Sequence, residues 1–293
     1  MTGAAGFIGS ALNAKLEAQL SIPVIRYDYR VGLGILHPDK LVNEVSKGGC
    51  REDLVLHFGA SADTRQGLEK VIEERNISYL KQLADAFKGG GGKLIFASSA
   101  AVYGNSLVHG TDQCSELSPY ARSKRLGEEF LMDACVDRPN DLAILRLHNV
   151  YGPGELKKNQ MMSIPSRFIV DALMKGQIRV WQSANIQNQS RDFIHVEDVI
   201  NFILTMSHQE WKSQIIDVGT GVSTAIQSIA HTISTILGSE VILEEFPLDM
   251  DEKSYQIYTR ANITPMQLIE PGFKPRTVNE ALVSLIEHYA TLL

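Results

Sequence analysis

The chain has 293 residues, of which 44% are hydrophobic, and its formal net charge is -6. This composition is typical of a globular protein with a proper core. The charges form no block of one sign, which excludes a nucleic-acid-binding face and a polybasic membrane patch. The N-terminus lacks a signal-peptide pattern, no apolar run reaches the length of a membrane span, and the three cysteines are widely spaced. We therefore expect a cytoplasmic protein with free thiols, no metal site and small-molecule chemistry.

The first half of the chain predicts alternating strands and helices. After a glycine-rich turn, apolar residues recur every fourth position from Ile8 to Leu20, which is the stripe of an amphipathic helix. Four apolar runs predict strands: "IPVIRYD" ending at Asp28, "DLVLHFGA" (Asp53 to Ala60), "KLIFASSA" (Lys93 to Ala100) and "DLAILRLHNVYG" (Asp141 to Gly152). Nearly uniform apolar strands that alternate with helices indicate a parallel sheet covered on both faces. The predicted class is α/β, doubly wound.

The second half shows a looser pattern, which predicts a smaller mixed α/β lobe that faces the substrate. The stretch "GPGELKKNQMMSIPSRF" resembles a loop, "IRVW" and "IIDVG" predict strands, and Ser223 to Leu237 predicts a helix. We expect residues 1–150 to form a dinucleotide-binding domain and 151–293 mainly the substrate lobe, with about 190–220 returning to the first sheet.

The opening stretch "MTGAAGFIGS" has the spacing of a phosphate-binding turn. Gly3, Gly6 and Gly9 directly precede the predicted helix, whose free N–H groups suit a pyrophosphate. Asp28 ends the next strand at about the distance where an acid binds the adenosine ribose. Arg26 and Arg30 flank it and either pair with a 2′-phosphate or are simply solvated, so the cofactor is NADP or NAD, with NADP slightly favoured.

A tyrosine and a lysine four residues apart carry the predicted acid/base chemistry. Tyr120 and Lys124 in "SPYARSKRLGEEF" project from one face of a helix turn. A nearby ammonium stabilises phenolate, so Lys124 is expected to let Tyr120 take a proton from a substrate hydroxyl near neutral pH. Ser99 in "SSAAVYG" ends a strand, from which it can hold the same hydroxyl.

The motifs together resemble the extended short-chain dehydrogenase/reductase family, in its NAD-dependent epimerase/dehydratase branch. They are "TGAAGFIG", "VLHFGA", Asn76 in "RNISYL", "SSAAVYG", "PYARSK", "LRLHNVYGPGE" and "RDFIHVEDV". The resemblance implies a Rossmann-type domain, a bound NAD or NADP, and a nucleotide-sugar substrate. It implies that Tyr120 is the acid/base, that Lys124 holds the nicotinamide ribose, and that Ser99 orients the reacting hydroxyl. The implied cofactor contacts are Gly3, Gly6, Phe7, Ile8, Gly9, Asp28, Arg30, Gly59, Ala60, Asn76, Tyr120 and Lys124.

Within this family the second half is similar to the ADP-glycero-manno-heptose 6-epimerases. Dehydratases carry an Asp-Glu pair where this chain has Ala100 and Ala101, so elimination is disfavoured. In the heptose epimerases a lysine after "NVYGP" is a second acid/base opposite the tyrosine, and the matching residue is Lys158. The resemblance implies substrate contacts at Ser99, Asn149, Gln160, Arg167, Arg191 and Tyr255. Gln160 and Arg167 replace a small hydroxyl residue and a histidine, and both can alter which nucleotide or sugar fits.

Two other functions remain open at this point: a UDP-hexose 4-epimerase, and a catalytically silent relative that holds no cofactor. The silent alternative rests on the apparently missing or truncated first strand and on the short region from Tyr29 to Arg51, in which no third strand is evident. We expect a chain that starts inside a longer parent or has an abbreviated nucleotide domain. About five added apolar residues, a typical strand length, would then raise stability and cofactor affinity. The heptose-epimerase resemblance also suggests a homo-oligomer.

Overall fold

A computed structural model describes residues 1–20, 23–32, 34–51, 53–62, 69–89, 92–111, 114–138, 141–182, 188–245 and 255–293. The chain forms two compact units. The first contains Met1–Val102, Ser118–Leu147 and Ile200–Ile216, and the second contains Tyr103–Leu117, His148–Val199 and Asp217–Leu293. Among the described residues, no helix is both long and apolar enough to cross a membrane.

The first unit is built on a parallel sheet. Its strands are β1 (Arg26–Tyr27), β2 (Ile35–Leu36), β3 (Leu54–His57), β4 (Lys93–Ser99) and β5 (Leu142–Leu147), and β10 (Gln214–Val218) lies beyond β5. Its helices are α1 (Phe7–Leu20), α2 (Asp39–Ser46), α3 (Glu69–Ile72), α4 (Tyr79–Lys88) and α5 (Pro119–Ala134). A π-helical stretch, Glu73–Ser78, joins α3 to α4. The structure confirms the predicted α/β class, and it confirms the helix predicted after the glycine turn.

Residues 1–4 lie at the centre of this sheet, where the sequence predicts a missing strand. Thr2 forms parallel bridges to Tyr27 of β1 and to His57 of β3. The Thr2 N–H donates to the Leu56 carbonyl at 2.8 Å, and the Tyr27 N–H donates to the Met1 carbonyl at 2.8 Å. The order is therefore β2, β1, Thr2, β3, β4, β5, β10, which is the order of Rossmann-type sheets. Main-chain bonds on both sides of Thr2 fill the expected gap.

Two short elements in the first half of the chain differ from the prediction. The region from Tyr29 to Arg51 does contain a third strand, since β2 pairs in parallel with β1 and α2 follows it. Both β1 and β2 have only two residues, so neither has enough length to show a strand pattern in the sequence. The strand predicted from "IPVIRYD" is correspondingly reduced to Arg26 and Tyr27.

The described residues of the second unit include three strand pairs and four α-helices. Its strands are β6 (Val150–Tyr151), β7 (Gln177–Gln182), β8 (Ser190–Asp192), β9 (Ile194–His195), β11 (Ser223–Ala225) and β12 (Glu240–Glu245). Parallel pairs join β6 to β9 and β7 to β12, whereas β8 and β11 are antiparallel. Its helices are α6 (Ile164–Lys175), α8 (Ile226–Leu237), α9 (Thr264–Ile269) and α10 (Val278–Ala290), and α7 (Val196–Ser207) crosses the boundary between the units.

Two predictions for this half are wrong in part. The helix predicted from Ser223 begins at Ile226, because Ser223–Ala225 pairs with β8 as a strand. The stretch predicted as a loop after Gly152 contains a 3-10 helix, Glu155–Met161, and the start of α6. Pro165 lies in the first turn of α6, where its fixed φ favours helix initiation. The predicted division of the chain at residue 150 stays a prediction.

Candidate active site

The glycine turn lies between the central strand position and α1. Gly3 has a φ of 69°, and a Cβ there would lie 2.6 Å from the Phe58 carbonyl carbon. A Cβ on Gly9 would overlap the Gly3 carbonyl oxygen, so both positions require glycine. The turn is closed by the Gly6 N–H, which donates to the Gly3 carbonyl at 2.9 Å. Phe7 and Ile8 begin α1, and the N–H groups of a first helical turn have no intrahelical partner, so this end of α1 suits an anion.

Asp28 lies directly after β1 and faces this turn. Its carboxylate is buried and accepts the Ala5 N–H at 3.1 Å. Arg30 donates its backbone N–H and its Nε to Oδ1 and its Nη2 to Oδ2, at 3.0 to 3.3 Å. Burial alone would raise the pKa of Asp28, but the hydrogen bonds from Arg30 and Ala5 outweigh it and lower that pKa. The predicted acid and its flanking cation are therefore one ion pair beside the glycine turn.

The loop after β3 is held by a buried amide. Gly59 donates its N–H to Thr2 Oγ1 at 3.1 Å, and Ala60 is exposed. The Asn76 side chain accepts the Ser61 N–H and donates to the Ser61 carbonyl and to Ser123 Oγ, at 2.8 to 3.1 Å. Asn76 belongs to the π-helical stretch, a distortion that often marks functional positions. It joins the loop that follows β3 to α5.

The predicted acid/base group is assembled at the end of β4 and the start of α5. Ser99 hydrogen-bonds to the Tyr120 hydroxyl, and it also accepts the Ala101 N–H at 3.2 Å. Ser118 caps α5 by accepting the Ala121 N–H, which fixes the helical turn that carries Tyr120. Burial raises the pKa of Tyr120, and the bond to Ser99 offsets part of that rise.

The Lys124 ammonium lies farther from Tyr120 than the sequence predicts. Its ammonium is buried, donates to the Ala97 carbonyl at 2.6 Å and lies 5.9 Å from the centre of the Tyr120 ring. Burial lowers the pKa of Lys124 to about 8, with Glu128 opposing the shift. The pKa of Tyr120 is raised by burial in this arrangement, and its lowering by Lys124 stays a prediction.

A buried ion pair joins α5 to the strands beside it. Glu128, one turn after Lys124, is fully buried and accepts Arg146 Nε at 2.9 Å and Nη2 at 2.7 Å. Ser98 Oγ donates to the same carboxylate at 2.5 Å. This bidentate pair connects α5 to β4 and β5, and sequence reasoning missed it. The signal was present, since Arg146 is a cation inside an apolar strand and Glu128 continues the four-residue spacing of Tyr120 and Lys124.

The second unit carries the predicted substrate residues other than Ser99. Asn149 donates its side-chain amide to the Asp192 carbonyl and to Thr259 Oγ1, each at 2.9 Å. Asp192 is buried and accepts bonds from Thr220 and its neighbours, so it is part of the framework. Asn149 therefore has a firm structural role in the positioning of the "RDF" segment.

Lys158 lies in the 3-10 helix and is about one-third exposed. Its ammonium donates to Glu155 Oε1 at 2.7 Å, and the Glu155 carboxylate is fully buried. Lys157 and Gln160 on the same segment are exposed. Glu155 is a second residue that sequence reasoning missed, although it stands three positions before Lys158.

Two guanidinium groups stack on aromatic rings in this unit. Arg191 lies 4.7 Å from the centre of the Tyr255 ring and donates to the Gln256 carbonyl, while Arg167 lies 5.1 Å from the Trp181 ring. Burial, together with the Arg191 cation, lowers the pKa of Arg167, and Tyr255 opposes the shift. A guanidinium group can donate two parallel hydrogen bonds to a phosphate, so each of these arginines is chemically suited to a diphosphate.

Residues 1–219 match the model of a known family, described as the NAD dependent epimerase/dehydratase family. The chain belongs to this family. The matched range includes the glycine turn and the helix that carries Tyr120 and Lys124.

Relatives of the epimerase/dehydratase family with known activities align over nearly the whole chain. ADP-L-glycero-D-manno-heptose-6-epimerase of Nitratidesulfovibrio vulgaris (strain DP4) is 26% identical over 294 residues, 91% of this chain and 90% of that protein. The solved structure of the Helicobacter pylori heptose epimerase has a TM-score of 0.78 and 24% identity, and covers 99% of this chain and 95% of that chain. UDP-glucuronic acid 4-epimerase from Bacillus cereus, in complex with UDP-glucuronic acid and NAD, has a TM-score of 0.82 and 21% identity, with 100% and 98% coverage. The likeness confirms the Rossmann-type fold.

Proposed function

We propose that this chain is an active nucleotide-sugar epimerase with an ADP-glycero-manno-heptose as its substrate. The observation that carries the proposal is the group of Ser99, Tyr120 and Lys124, brought together by β4 and α5. Ala100 and Ala101 follow Ser99, so the acidic pair of a dehydratase is absent from this position. The heptose epimerase relative aligned over 91% of the chain supports the choice of sugar.

In the proposed mechanism, Ser99 holds the reacting hydroxyl and Tyr120 exchanges its proton. Tyr120 is half-buried with a raised pKa, so it stays a phenol at neutral pH until a base removes its proton. We propose that Lys124, whose ammonium donates to the Ala97 carbonyl and lies 5.9 Å from the centre of the Tyr120 ring, holds the nicotinamide ribose. The nicotinamide cofactor, when bound, supplies the acceptor and donor for the hydrogen on the epimerised carbon.

Lys158 is proposed as the second acid/base. Return of the hydrogen to the opposite face of the carbon presents the oxygen in a second orientation, and the family resemblance assigns Lys158 as the acid/base that serves it. Arg167 and Arg191 are proposed to bind the diphosphate, with Asn149, Gln160 and Tyr255 as further substrate contacts. The adjacent guanidinium groups on Trp181 and Tyr255 support this assignment.

We propose NADP as the preferred cofactor, held by the glycine turn, Asp28 and Arg30, with Gly59, Ala60 and Asn76 in the adjoining loop. The exposure of the Arg30 side chain, 67%, supports the preference, because an exposed guanidinium there can pair with a 2′-phosphate. Arg30→Ala is expected to weaken NADP binding about tenfold, a loss of about 1.4 kcal/mol, and NAD binding much less. Titration calorimetry with both cofactors measures this, and equal losses for both would contradict the preference.

Product analysis with ADP-heptose and UDP-hexoses tests the central proposal. Wild-type protein is expected to interconvert the heptose epimers, and Tyr120→Phe and Lys158→Met are expected to lose at least about 100-fold in turnover, as loss of an acid/base group does. Lys157→Met, on the exposed neighbour of Lys158, is the matched control and keeps full activity. Conversion of UDP-galactose alone would favour the 4-epimerase alternative, and a Tyr120→Phe variant with wild-type turnover would contradict the mechanism.

The catalytically silent alternative has a separate test. A functional member is expected to show the absorbance and fluorescence of a nicotinamide cofactor, or to bind added NADP. A purified protein that does neither would favour the silent relative.

We also propose that residues 1–150 hold the cofactor and 151–293 mainly the sugar, in a cytoplasmic homo-oligomer. The positions of the glycine turn and of Lys124 in the first range, and of Lys158 and Arg191 in the second, support this division. Sedimentation velocity tests the assembly, and a monomer at micromolar concentration would contradict it.

A further inference from the structure

The Glu155 carboxylate is the centre of a buried hydrogen-bond network in the second unit. Glu155 is fully buried, and its two oxygens accept five bonds. The donors are Gly152 N at 3.3 Å, Lys158 Nζ at 2.7 Å, Ser163 N at 2.9 Å, Ser163 Oγ at 2.6 Å and Ser166 Oγ at 2.5 Å. A buried carboxylate that accepts this many hydrogen bonds is held in one orientation.

The charge of Glu155 is compensated from two sides. Ser163 and Ser166 belong to the N-terminal end of α6, where the helix dipole and the free N–H groups favour an anion. The Lys158 ammonium supplies the opposing positive charge. Glu155 thereby joins the segment that carries Lys158 to a twelve-residue helix of the core.

The backbone beside Lys158 is held in an uncommon conformation. Asn159 has a φ of 50° and a ψ of -121°, a region that non-glycine residues rarely occupy. Such strain costs of the order of 1–3 kcal/mol and persists only where surrounding contacts fix the chain. The Glu155 bonds on both sides of Asn159, to Lys158 and to Ser163, are such contacts.

We propose that Glu155 is the positioning residue for Lys158. It orients the lysine ammonium and fixes the strained segment that carries it. This inference rests on the proposed function, in which Lys158 exchanges a proton with the sugar. The alternative is a purely structural role, in which Glu155 only caps α6. Its replacement would then affect folding and not the chemistry of Lys158.

Glu155→Gln tests the proposal, since it removes the charge and keeps the shape. A displacement of about 1 Å can cost about 100-fold in rate, so we expect kcat to fall by that order with KM changed much less. Glu210→Gln is the matched control, because the Glu210–Lys93 pair has a similar length of 2.8 Å, its lysine is 31% exposed like Lys158, and neither residue has a proposed role. In a Lys158→Met background, Glu155→Gln is expected to reduce the residual turnover no further.

A labelling experiment separates this inference from the proposed function. Lys158 is expected to react several-fold more slowly with an amine-acylating reagent than its exposed neighbour Lys157, and Glu155→Gln is expected to remove the difference. Peptide mass spectrometry measures both lysines in one sample. If Glu155→Gln does not fold, Glu155→Asp retains the charge with a shorter reach and is expected to show a smaller loss of kcat and partial labelling of Lys158.

Three results would overturn the inference: a Glu155→Gln enzyme with wild-type kcat, an equal loss of kcat in the Lys158→Met background, or unchanged protection of Lys158 from acylation. A wild-type protein that epimerises no nucleotide sugar, or a fully active Lys158→Met variant, would instead overturn the proposed function. The labelling result then still decides whether Glu155 holds Lys158.

Discussion

Glu128 and Glu129 are neighbours in α5 with opposite surroundings. Glu128 is fully buried against Arg146, whereas Glu129 is half-exposed and pairs with Arg125 at 3.4 Å. Because Glu128→Gln leaves a buried guanidinium without its counter-charge, we expect a loss of about 3–5 kcal/mol in the free energy of unfolding. Glu129→Gln is expected to cost about 0–1 kcal/mol. Urea denaturation measures both, and similar losses for the two variants would show that the buried pair contributes little.

Side chains that belong to a motif of regular spacing can be predicted from the sequence. Side chains that only hold those motif residues in place cannot. Tyr120, Lys124 and Ser99 are found from spacing and from their positions at the ends of elements. Glu128 and Glu155 support Lys124 and Lys158 from buried positions. Their role depends on partners in other elements, such as Arg146 and Ser163, and a single sequence does not show which distant residues come together.

At the scale of the element, the N-cap of α5 holds the turn that carries Tyr120. Ser118→Ala and Thr277→Ala each remove a helix cap, at the starts of α5 and α10, and each is expected to cost about 1 kcal/mol. Only Ser118→Ala is expected to lower turnover as well, because fraying of its helix moves Tyr120. Denaturation and initial rates of both variants measure this, and equal rates would mean that Tyr120 is held by its other contacts.

Three strands of the main sheet are long enough for a prediction from pattern, whereas its shortest elements are not. β3, β4 and β5 have four to seven residues of apolar sequence, and each lies inside its predicted run. β1, β2 and the Thr2 bridge exist because their neighbours offer free main-chain groups. Tertiary pairing of this kind leaves no periodic signal, which is why the sequence predicts an absent central strand.

For the whole molecule, stability is expected to depend on pH through His57. Its ring is buried between Tyr79 and Phe96, and burial, with the positive charges of Lys124 and the N-terminus, lowers its pKa to about 3 from 6.5. A pKa lowered in the folded state means that stability is complete above pH 6.5 and is lost as the pH falls toward 3. The loss is about 1.4 kcal/mol for each pH unit in that window.

Urea denaturation of His57→Phe between pH 7 and pH 4 checks this expectation. The variant keeps a ring for stacking but cannot bind a proton, so its stability is expected to fall less steeply with acid than that of the wild type. His208→Phe, on an exposed histidine, is the control and keeps the wild-type slope. Identical slopes for His57→Phe and the wild type would show that other groups cause the acid sensitivity.

Transient oxidation at one carbon is the central step of the proposed epimerisation. An isotope experiment tests this oxidation step most directly. ADP-heptose deuterated at the epimerised carbon is converted in ordinary water, and the deuterium content of the product is measured by mass spectrometry and NMR. Deuterium is expected to stay on the inverted carbon, because the same hydrogen is removed and returned within the site. Exchange of that deuterium for solvent protium, at the rate of epimerisation, would contradict this expectation.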